Sequence, residues 1–346
     1  MNYISCYTTL SILFLLNINE AKAQADVHQS QFNENAILRN PALTGVNASD
    51  FKFMASYRSQ WATIGNPYTT MALSGVTKTQ LNPYKEDMFS IGVHVFTDNA
   101  GAANQKITGI YPAINYNKSL NPDYNSFLSV GIVAGYAQYS FNPSKITYNN
   151  QYDNGIFNTS IPNLENFSGT KLSYWDVGAG LNFNTSNNTD NTIVYSIGVS
   201  GYHLNQPSFS YNTTNKIKIN VRANINASAD VAINDFNSIQ IHTNYGQQGE
   251  YKEIICALLW QYNFKDQFSK TDFSLTLGSG YRYNDAIMPI VKIKYNKIGA
   301  GVSYDINTSS FQKATNSNGG LEISLFYVGD YNSGPIAPGK KVCPRF

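Results

Sequence analysis

The sequence predicts an all-β protein, a transmembrane antiparallel β-barrel of about 14 strands with long extracellular loops. Three observations lead to this prediction. Apolar and polar residues alternate along most of the chain, many alternating segments exceed ten residues, and aromatic residues recur at the ends of the apolar faces. Successive side chains of a strand point to opposite faces, so alternation gives each segment one apolar and one polar surface.

The alternation is clear in residues 172–184, where Trp175 and Val177 share one face and Asp176 and Asn182 share the other. The same period of two predicts strands along the rest of the chain. The predicted strands are 51–59, 68–77, 88–98, 105–117, 126–141, 172–184, 192–203, 218–234, 237–246, 250–264, 271–283, 287–296, 298–308 and 318–329.

The length of these segments favours a membrane barrel over a secreted soluble β-sandwich, which would also alternate. Ordinary soluble strands have ~5–6 residues, whereas a tilted strand needs ~9–11 residues to cross a bilayer. Aromatic residues stand at the ends of apolar faces, as in the aromatic girdles of outer-membrane barrels. They are Tyr281, Tyr283, Trp260, Tyr262 and Tyr327. A closed barrel also satisfies every backbone group in lipid.

Loop lengths give the barrel an orientation. Outer-membrane barrels keep short turns in the periplasm and long loops outside. If the chain starts in the periplasm, the insertions 142–170, 205–215 and 309–318 follow odd-numbered strands and therefore lie outside the cell. The connection 77–87 is a long periplasmic turn that fits this pattern less well.

The ends of the chain are predicted to lie outside the barrel, which spans residues 51–330. An apolar core at 10–16 followed by Ala-Lys-Ala at 21–23 predicts a signal peptide over residues 1–23, with a buried N-terminal helix as the alternative. Residues 24–50 are predicted to form an N-terminal periplasmic segment and residues 331–346 a periplasmic C-terminal tail. No mature segment offers ~20 consecutive apolar residues for a spanning helix.

Composition and motifs indicate neither an enzyme nor a nucleic-acid-binding protein. The net charge is only +2, which gives no electrostatic reason to bind nucleic acid. His28, His94, His203 and His242 lack metal-ligand spacing, and no phosphate-binding glycine loop or nucleophile elbow is present. We therefore expect no catalytic residues, no metal and no cofactor.

Several charged residues fall on the predicted inward faces of the strands. One interpretation is a network of paired charges that fixes and fills the barrel, and the other is a channel lining or a docking site. Arg58 is a candidate partner for an inward carboxylate, either Asp305 or Glu322. The candidate network comprises Arg58, Arg222, Arg282, Asp176, Asp305 and Glu322.

Short motifs near both ends resemble the PorP/SprF family of Bacteroidetes outer-membrane proteins. "NPALTG" followed by an alternating strand and "YRSQW" occupies residues 40–61, and the segments 280–290, 298–311 and 319–327 match the family's C-terminal half in order. The chain also closes on the family-like "CPRF". The motif residues are Asn40, Pro41, Gly45, Tyr57, Arg58, Gln60, Trp61, Cys343, Pro344, Arg345 and Phe346.

This resemblance implies a non-catalytic outer-membrane component of the type IX secretion system. It implies support for the secretion or surface retention of partner proteins, including adhesins and proteins of gliding motility. The expected partners are outer-membrane lipid, components of the secretion system and C-terminal domains of secreted surface proteins. Two alternatives stay open: a channel for small apolar solutes of the fatty-acid-transporter type, and a soluble secreted adhesin.

Overall fold

The computed structural model of the protein describes residues 27–331, except 64, 83–84, 102, 122–125, 154, 159, 163, 165–168, 188–191, 211–216, 266–271 and 311. The predicted signal peptide, residues 332–346 of the predicted tail and the "CPRF" residues lie outside the described residues. Among the described residues, no helix is long and apolar enough to cross a membrane.

Fourteen antiparallel strands of the described chain form one closed barrel, which confirms the predicted fold class. Neighbours in sequence are neighbours in the wall, and β1 pairs with β16 to close it. The barrel strands are β1 (Phe51–Gln60), β2 (Tyr68–Asn82), β3 (Lys85–Ala100), β4 (Gln105–Asn121), β5 (Ser126–Ser140), β8 (Lys171–Ser186), β9 (Ile193–Tyr202), β10 (Arg222–Ala232), β11 (Asn237–Gln248), β12 (Tyr251–Lys265), β13 (Asp272–Arg282), β14 (Ala286–Tyr295), β15 (Ile298–Asn307) and β16 (Asn318–Gly329).

The remaining elements are short. The helix α1 (Ala36–Arg39) and a 3-10 turn (Pro41–Leu43) precede β1, and the helix α2 (Gln312–Thr315) precedes β16. The connection between β5 and β8 contains two 3-10 turns (Pro143–Lys145 and Asn149–Gln151) and a small hairpin of β6 (Tyr152–Asp153) and β7 (Ile156–Phe157).

The faces of the wall follow the predicted alternation. In β8, Trp175 and Val177 are exposed on the outside, whereas Asp176 and Asn182 are buried on the inside. The outer face is therefore apolar and the lumen polar, as a barrel in lipid requires.

Several strand boundaries differ from the prediction. The strands β2 and β3 extend to Asn82 and from Lys85, so the connection predicted over 77–87 is mostly strand. β10, the eighth strand of the barrel, begins at Arg222 rather than at residue 218. The region 77–87 is largely polar and gives no apolar signal for a strand end. Before Arg222, in contrast, Ile219 and Val221 continue the alternation outside the ladder.

The two ends of the barrel differ in the length of their connections. We call the end that carries residues 61–67, 141–170, 203–221 and 308–317 the long-loop rim. The opposite end, the short-turn rim, carries connections such as 233–236 and 296–297, and β1 begins and β16 ends there.

The N-terminal segment lies inside the barrel, and this corrects the prediction that residues 24–50 form a separate periplasmic segment. Ser30, Gln31, Asn40 and Thr44 are fully buried against the inner wall. The segment is polar and has no alternation, so no strand is predicted for it. In the structure its polar groups are satisfied by inward side chains of the strands.

Candidate functional site: the lumenal segment and the long-loop rim

Residues 27–46, which we call the lumenal segment, run through the barrel from one rim to the other. His28 shares a small cavity with Arg222 and Gln248, which begin β10 and end β11 at the long-loop rim. The chain then reaches the short-turn rim, where the backbone carbonyl of Asp50 accepts a 2.9 Å hydrogen bond from the backbone of Lys78. The segment therefore spans the lumen.

A buried ion-pair cluster, the Arg58 cluster, holds the start of this segment. Arg58 on β1 lies 2.9 Å from Asp305 on β15 and 3.4 Å from Glu322 on β16. Arg282 on β13 lies 2.8 Å from the same Asp305 oxygen. These four side chains are almost fully buried. Each charge is thus paired inside the wall, as buried charges must be.

The carboxylates of the Arg58 cluster also bind the backbone of the lumenal segment. Glu322 accepts a 2.7 Å hydrogen bond from the Ser30 amide and a 3.1 Å bond from the Gln31 amide. The Ser30 hydroxyl donates to Asp305 and accepts from Arg58. The Arg58 cluster therefore joins four barrel strands and anchors the segment.

A second charged contact follows at Glu34. Its carboxylate lies 2.6 Å from Lys52 on β1 and 2.5 Å from Lys292 on β14. Burial acts to raise the pKa of Glu34, but the charges of Lys292 and Lys52 outweigh it and hold that pKa far below its ordinary value. Glu34 is therefore ionised at neutral pH and bridges the segment to two strands.

Neutral amides anchor the second half of the segment on the opposite wall. The Asn40 amide nitrogen lies 3.0 Å from the Leu181 carbonyl, 3.3 Å from the Val199 carbonyl and 2.9 Å from Asn226 Oδ1, and it donates to these acceptors. Asn115 on β4 donates to the carbonyls of Ala42 and Thr44 at 2.9 and 2.8 Å. We call this set of contacts the amide anchor.

Asn40 also shapes the turn that carries these contacts. Its side-chain oxygen accepts a 2.9 Å hydrogen bond from the Ala42 amide and caps the 3-10 turn Pro41–Leu43. Proline suits this position because its fixed φ fits the start of a turn and its missing N–H has no partner to lose. The Asn-Pro pair of the family-like motif is therefore a docking turn on the inner wall.

Two wall glycines allow the turn to approach closely. A Cβ at Gly131 on β5 would lie 2.3 Å from the Ala42 amide nitrogen. A Cβ at Gly180 on β8 would lie 2.0 Å from the Asn40 side-chain oxygen. Only glycine leaves room for the backbone of the lumenal segment at these two positions.

The structure brings together four of the six candidate network residues, namely Arg58, Arg282, Asp305 and Glu322. Asp176 instead lies 3.0 Å from His203 Nδ1 and accepts from the His203 backbone amide at 3.0 Å. Arg222 lies at the long-loop rim, with its guanidinium 5.7 Å from the Tyr202 ring centre and its Nε 3.3 Å from Asn224 Oδ1. The cluster is thus local to β1, β13, β15 and β16.

The remaining motif residues lie along β1 and the turns beside it. Tyr57 is exposed on the outer face, Gln60 is buried on the inner face, and Trp61 ends the strand with its amide 2.7 Å from the Gly319 carbonyl. The Trp61 ring packs edge-on against Tyr68 at 5.1 Å. Gly45 has a φ of +74°, a conformation that favours glycine.

Sequence reasoning missed the partners inside the lumenal segment. Ser30, Gln31 and Glu34 carried no alternation, and Lys292 was one of many isolated strand charges. Asn115 and Asn226 could have been noticed, because asparagines recur on the inward faces of β4, β8, β10 and β11. An inward face so rich in amides indicates a wall that binds backbone groups.

The long-loop rim presents an exposed apolar surface. In the β6–β7 hairpin the rings of Tyr152 and Phe157 pack at 5.5 Å, and Ile156 is 73% exposed. Leu164 in the same connection is 85% exposed. Below them Phe209 packs edge-on against Tyr139 at 4.7 Å, so the next loop is fixed to the wall.

No group of His, Cys, Asp or Glu within the described part of the chain could hold a metal ion. The charges of the Arg58 cluster are paired with one another. The arrangement is therefore suited to fixing a segment inside a barrel.

These features define a class of protein, a closed transmembrane β-barrel whose lumen contains its own N-terminal segment. The model of the family "Type IX secretion system membrane protein PorP/SprF" matches residues 21–327. The chain therefore belongs to the PorP/SprF family and is a membrane component of the type IX secretion system. Family and fold together support an outer-membrane location.

The similarity to solved structures concerns the fold alone. The toluene transporter TbuX of Ralstonia pickettii has a TM-score of 0.50 and 10% identity, over 84% of this chain and 91% of that chain. A ΔS2 mutant of the monoaromatic hydrocarbon channel TodX has a TM-score of 0.50 and 9% identity, over 86% of this chain and 94% of that chain. A search of the curated proteins finds no match.

Proposed function

We propose that this protein is a closed, partner-binding barrel of the type IX secretion system. It holds a secreted surface protein, or a component of the secretion machinery, at its long-loop rim and is not a catalyst or a conduit. The observation that carries this proposal is the lumenal segment, which runs between the rims and is bonded to both halves of the wall.

The filled lumen favours partner binding over transport of small apolar solutes. Two apolar patches of the inner wall are occupied by the segment itself. Ile37 packs against Tyr111, Val133 and Tyr202, and Phe32 packs against the cluster around Met288. A solute of the kind named for the toluene transporter would need a continuous apolar path, and here buried amides, hydroxyls and charges lie between the apolar residues of the inner wall.

The long-loop rim offers the surface for a partner. Exposed large apolar side chains on a connection above the wall cost solubility, and such surfaces usually mark interaction sites. Here Ile156 and Leu164 project from the connection that follows β5. With long loops facing outward, as in other outer-membrane barrels, this surface meets proteins that have crossed the membrane. C-terminal domains of secreted surface proteins are the partners we expect.

A pull-down tests this proposal. A tagged protein would be expressed in a strain that lacks the chromosomal gene and recovered from detergent-solubilised outer membranes. We expect a secreted protein to copurify with the wild type and to be lost with Ile156→Asp. The matched control is Ile233→Asp, an exposed isoleucine at the short-turn rim, which should keep the partner. Loss with both variants, or with neither, contradicts the rim as the binding surface.

A deletion strain separates the two functions. We expect loss of secretion or surface display of particular proteins, restored by the wild-type gene but not by the Ile156→Asp gene. Normal secretion combined with reduced uptake of small apolar compounds would overturn the proposal in favour of a transporter.

A further inference from the structure

Arg39 is a buried cation in the middle of the lumen. It ends α1, and only 8% of its surface is exposed. Its backbone carbonyl accepts hydrogen bonds from Ser200 Oγ at 2.9 Å and from Asn224 Nδ2 at 3.2 Å. The residue is thus fixed between the lumenal segment and the β9–β10 wall.

The side chain of Arg39 carries two buried donors, Nε and Nη1. Both donate to no group in the described part of the chain. A buried guanidinium without hydrogen bonds is costly, because both its charge and its N–H groups lose water. Every other arginine of the lumen described above has a contact that offsets this cost.

The charged side chains around Arg39 also carry an excess of positive charge. Glu34 is the carboxylate whose charge acts on Arg39, but its oxygens bind Lys52 and Lys292. Three cationic side chains therefore share one carboxylate. Burial lowers the pKa of Arg39 to about 10, with Glu34 and Tyr202 acting in the opposite direction, so the guanidinium is charged at neutral pH.

A second unpartnered group faces this region from the wall. His242 on β11 is buried on the inner face, and its Nδ1 has no hydrogen-bond partner among the described residues. Asn40, the residue after Arg39, bonds Asn226 on β10. The register partner of Asn226 on β11 is Asn244, the next inward residue to His242. A neutral imidazole can carry its proton on Nδ1 and donate it. Two sets of donors therefore lie in one enclosed part of the lumen.

We propose that Arg39 and His242 bind a small inorganic anion of the halide class between the lumenal segment and β11. The anion accepts from Nε and Nη1 of Arg39 and from Nδ1 of His242, and it balances the excess positive charge around Glu34. A compact anion is the class proposed because both residues are almost fully buried, which excludes a large ligand. A water molecule could accept the same hydrogen bonds, but it would leave the charge unbalanced.

Thermal unfolding of the purified protein in detergent tests the site. The protein would be compared in sodium gluconate and sodium bromide at equal ionic strength, because gluconate is too large for an enclosed site. Ligands that bind the folded state stabilise it by mass action. We expect bromide to raise the midpoint of the wild type by about 2–4 °C, the shift that corresponds to roughly 1 kcal/mol in a large domain.

Two variants make the result specific. Arg39→Met should lose the bromide effect and should be at least as stable as the wild type in gluconate, because it removes an unpaired charge. Lys294→Met, which removes an exposed lysine 2.8 Å from Asp272, should keep the bromide effect. Equal bromide effects in the wild type and Arg39→Met, or no effect in the wild type, would overturn the proposal.

A direct measurement covers the case in which Arg39→Met does not fold. Crystals of the wild type in bromide should show an anomalous peak in contact with Nε and Nη1 of Arg39. Density for water alone at this position would overturn the proposal.

Discussion

The two halves of the lumenal segment are held by different chemistry. The first half is held by charged groups. The Arg58 cluster binds its backbone, and its own Glu34 forms ion pairs with lysines of the wall. The second half is bound by the amide anchor, where neutral side chains donate to backbone carbonyls and wall glycines allow close contact. The charged contacts lose most of their stabilisation when one partner is removed, because the other charge is then buried and unpaired. The amide contacts depend instead on close and correctly oriented hydrogen bonds.

The largest effect is expected at Arg58. Arg58→Ala leaves Glu322 without its cation and Asp305 with only Arg282, and breaking a buried pair typically costs about 3–5 kcal/mol. The unfolding midpoint, followed by the mobility of unheated samples on gels, should fall strongly. The double variant Arg58→Met with Glu322→Met should recover much of the loss. A single variant as stable as the wild type would show that the cluster does not anchor the segment.

The next effect is expected at Glu34, where the charged contact can be tested by pH. Glu34→Gln should cost about 1.5–3 kcal/mol at neutral pH, the usual range for hydrogen bonds to charged groups. The pKa of Glu34 is lowered in the folded protein. Its contribution is therefore present above the unfolded pKa of about 4.3 and is lost as the pH falls below that value.

The two stability curves should therefore converge in acid. Wild type and Glu34→Gln are compared by thermal unfolding between neutral pH and pH ~3, where the unfolded carboxyl is protonated. A constant difference at all pH values would mean that the charge of Glu34 contributes nothing.

A smaller and more local effect is expected in the amide anchor. Gly131→Ala places a methyl group against the Ala42 amide, and overpacking of this kind costs typically about 1–3 kcal/mol. The barrel should stay folded while the lumenal segment becomes accessible to protease. The control is Gly169→Ala, which meets nothing closer than 3.9 Å. If the lumenal segment resists protease equally in both variants, the turn does not dock against Gly131.

The wall of the barrel could be predicted from the sequence because strands in lipid require alternation. Arg58, Asp305 and Glu322 were expected on the inner face and lie there in contact. The partner of Asp176 could not be predicted, because His203 lies past the end of β9 in an irregular loop.

The lumenal segment could not be placed from the sequence for a similar reason. A polar stretch without periodicity does not indicate which residues it contacts. Asn40 and Pro41 indicate a turn. Its docking position, however, is set by contacts with three residues of the wall, Asn115, Gly131 and Gly180. These contacts join residues far apart in the chain.

The most direct test of the central claim is ion conductance in planar lipid bilayers. If the lumenal segment closes the barrel, the wild type should show no steady open channel. A variant that weakens both anchors, Arg58→Ala with Gly131→Ala, should show channel openings of a 14-stranded barrel. A stable open channel in the wild type, with a conductance unchanged in the variant, would contradict a lumen closed by its own N-terminal segment.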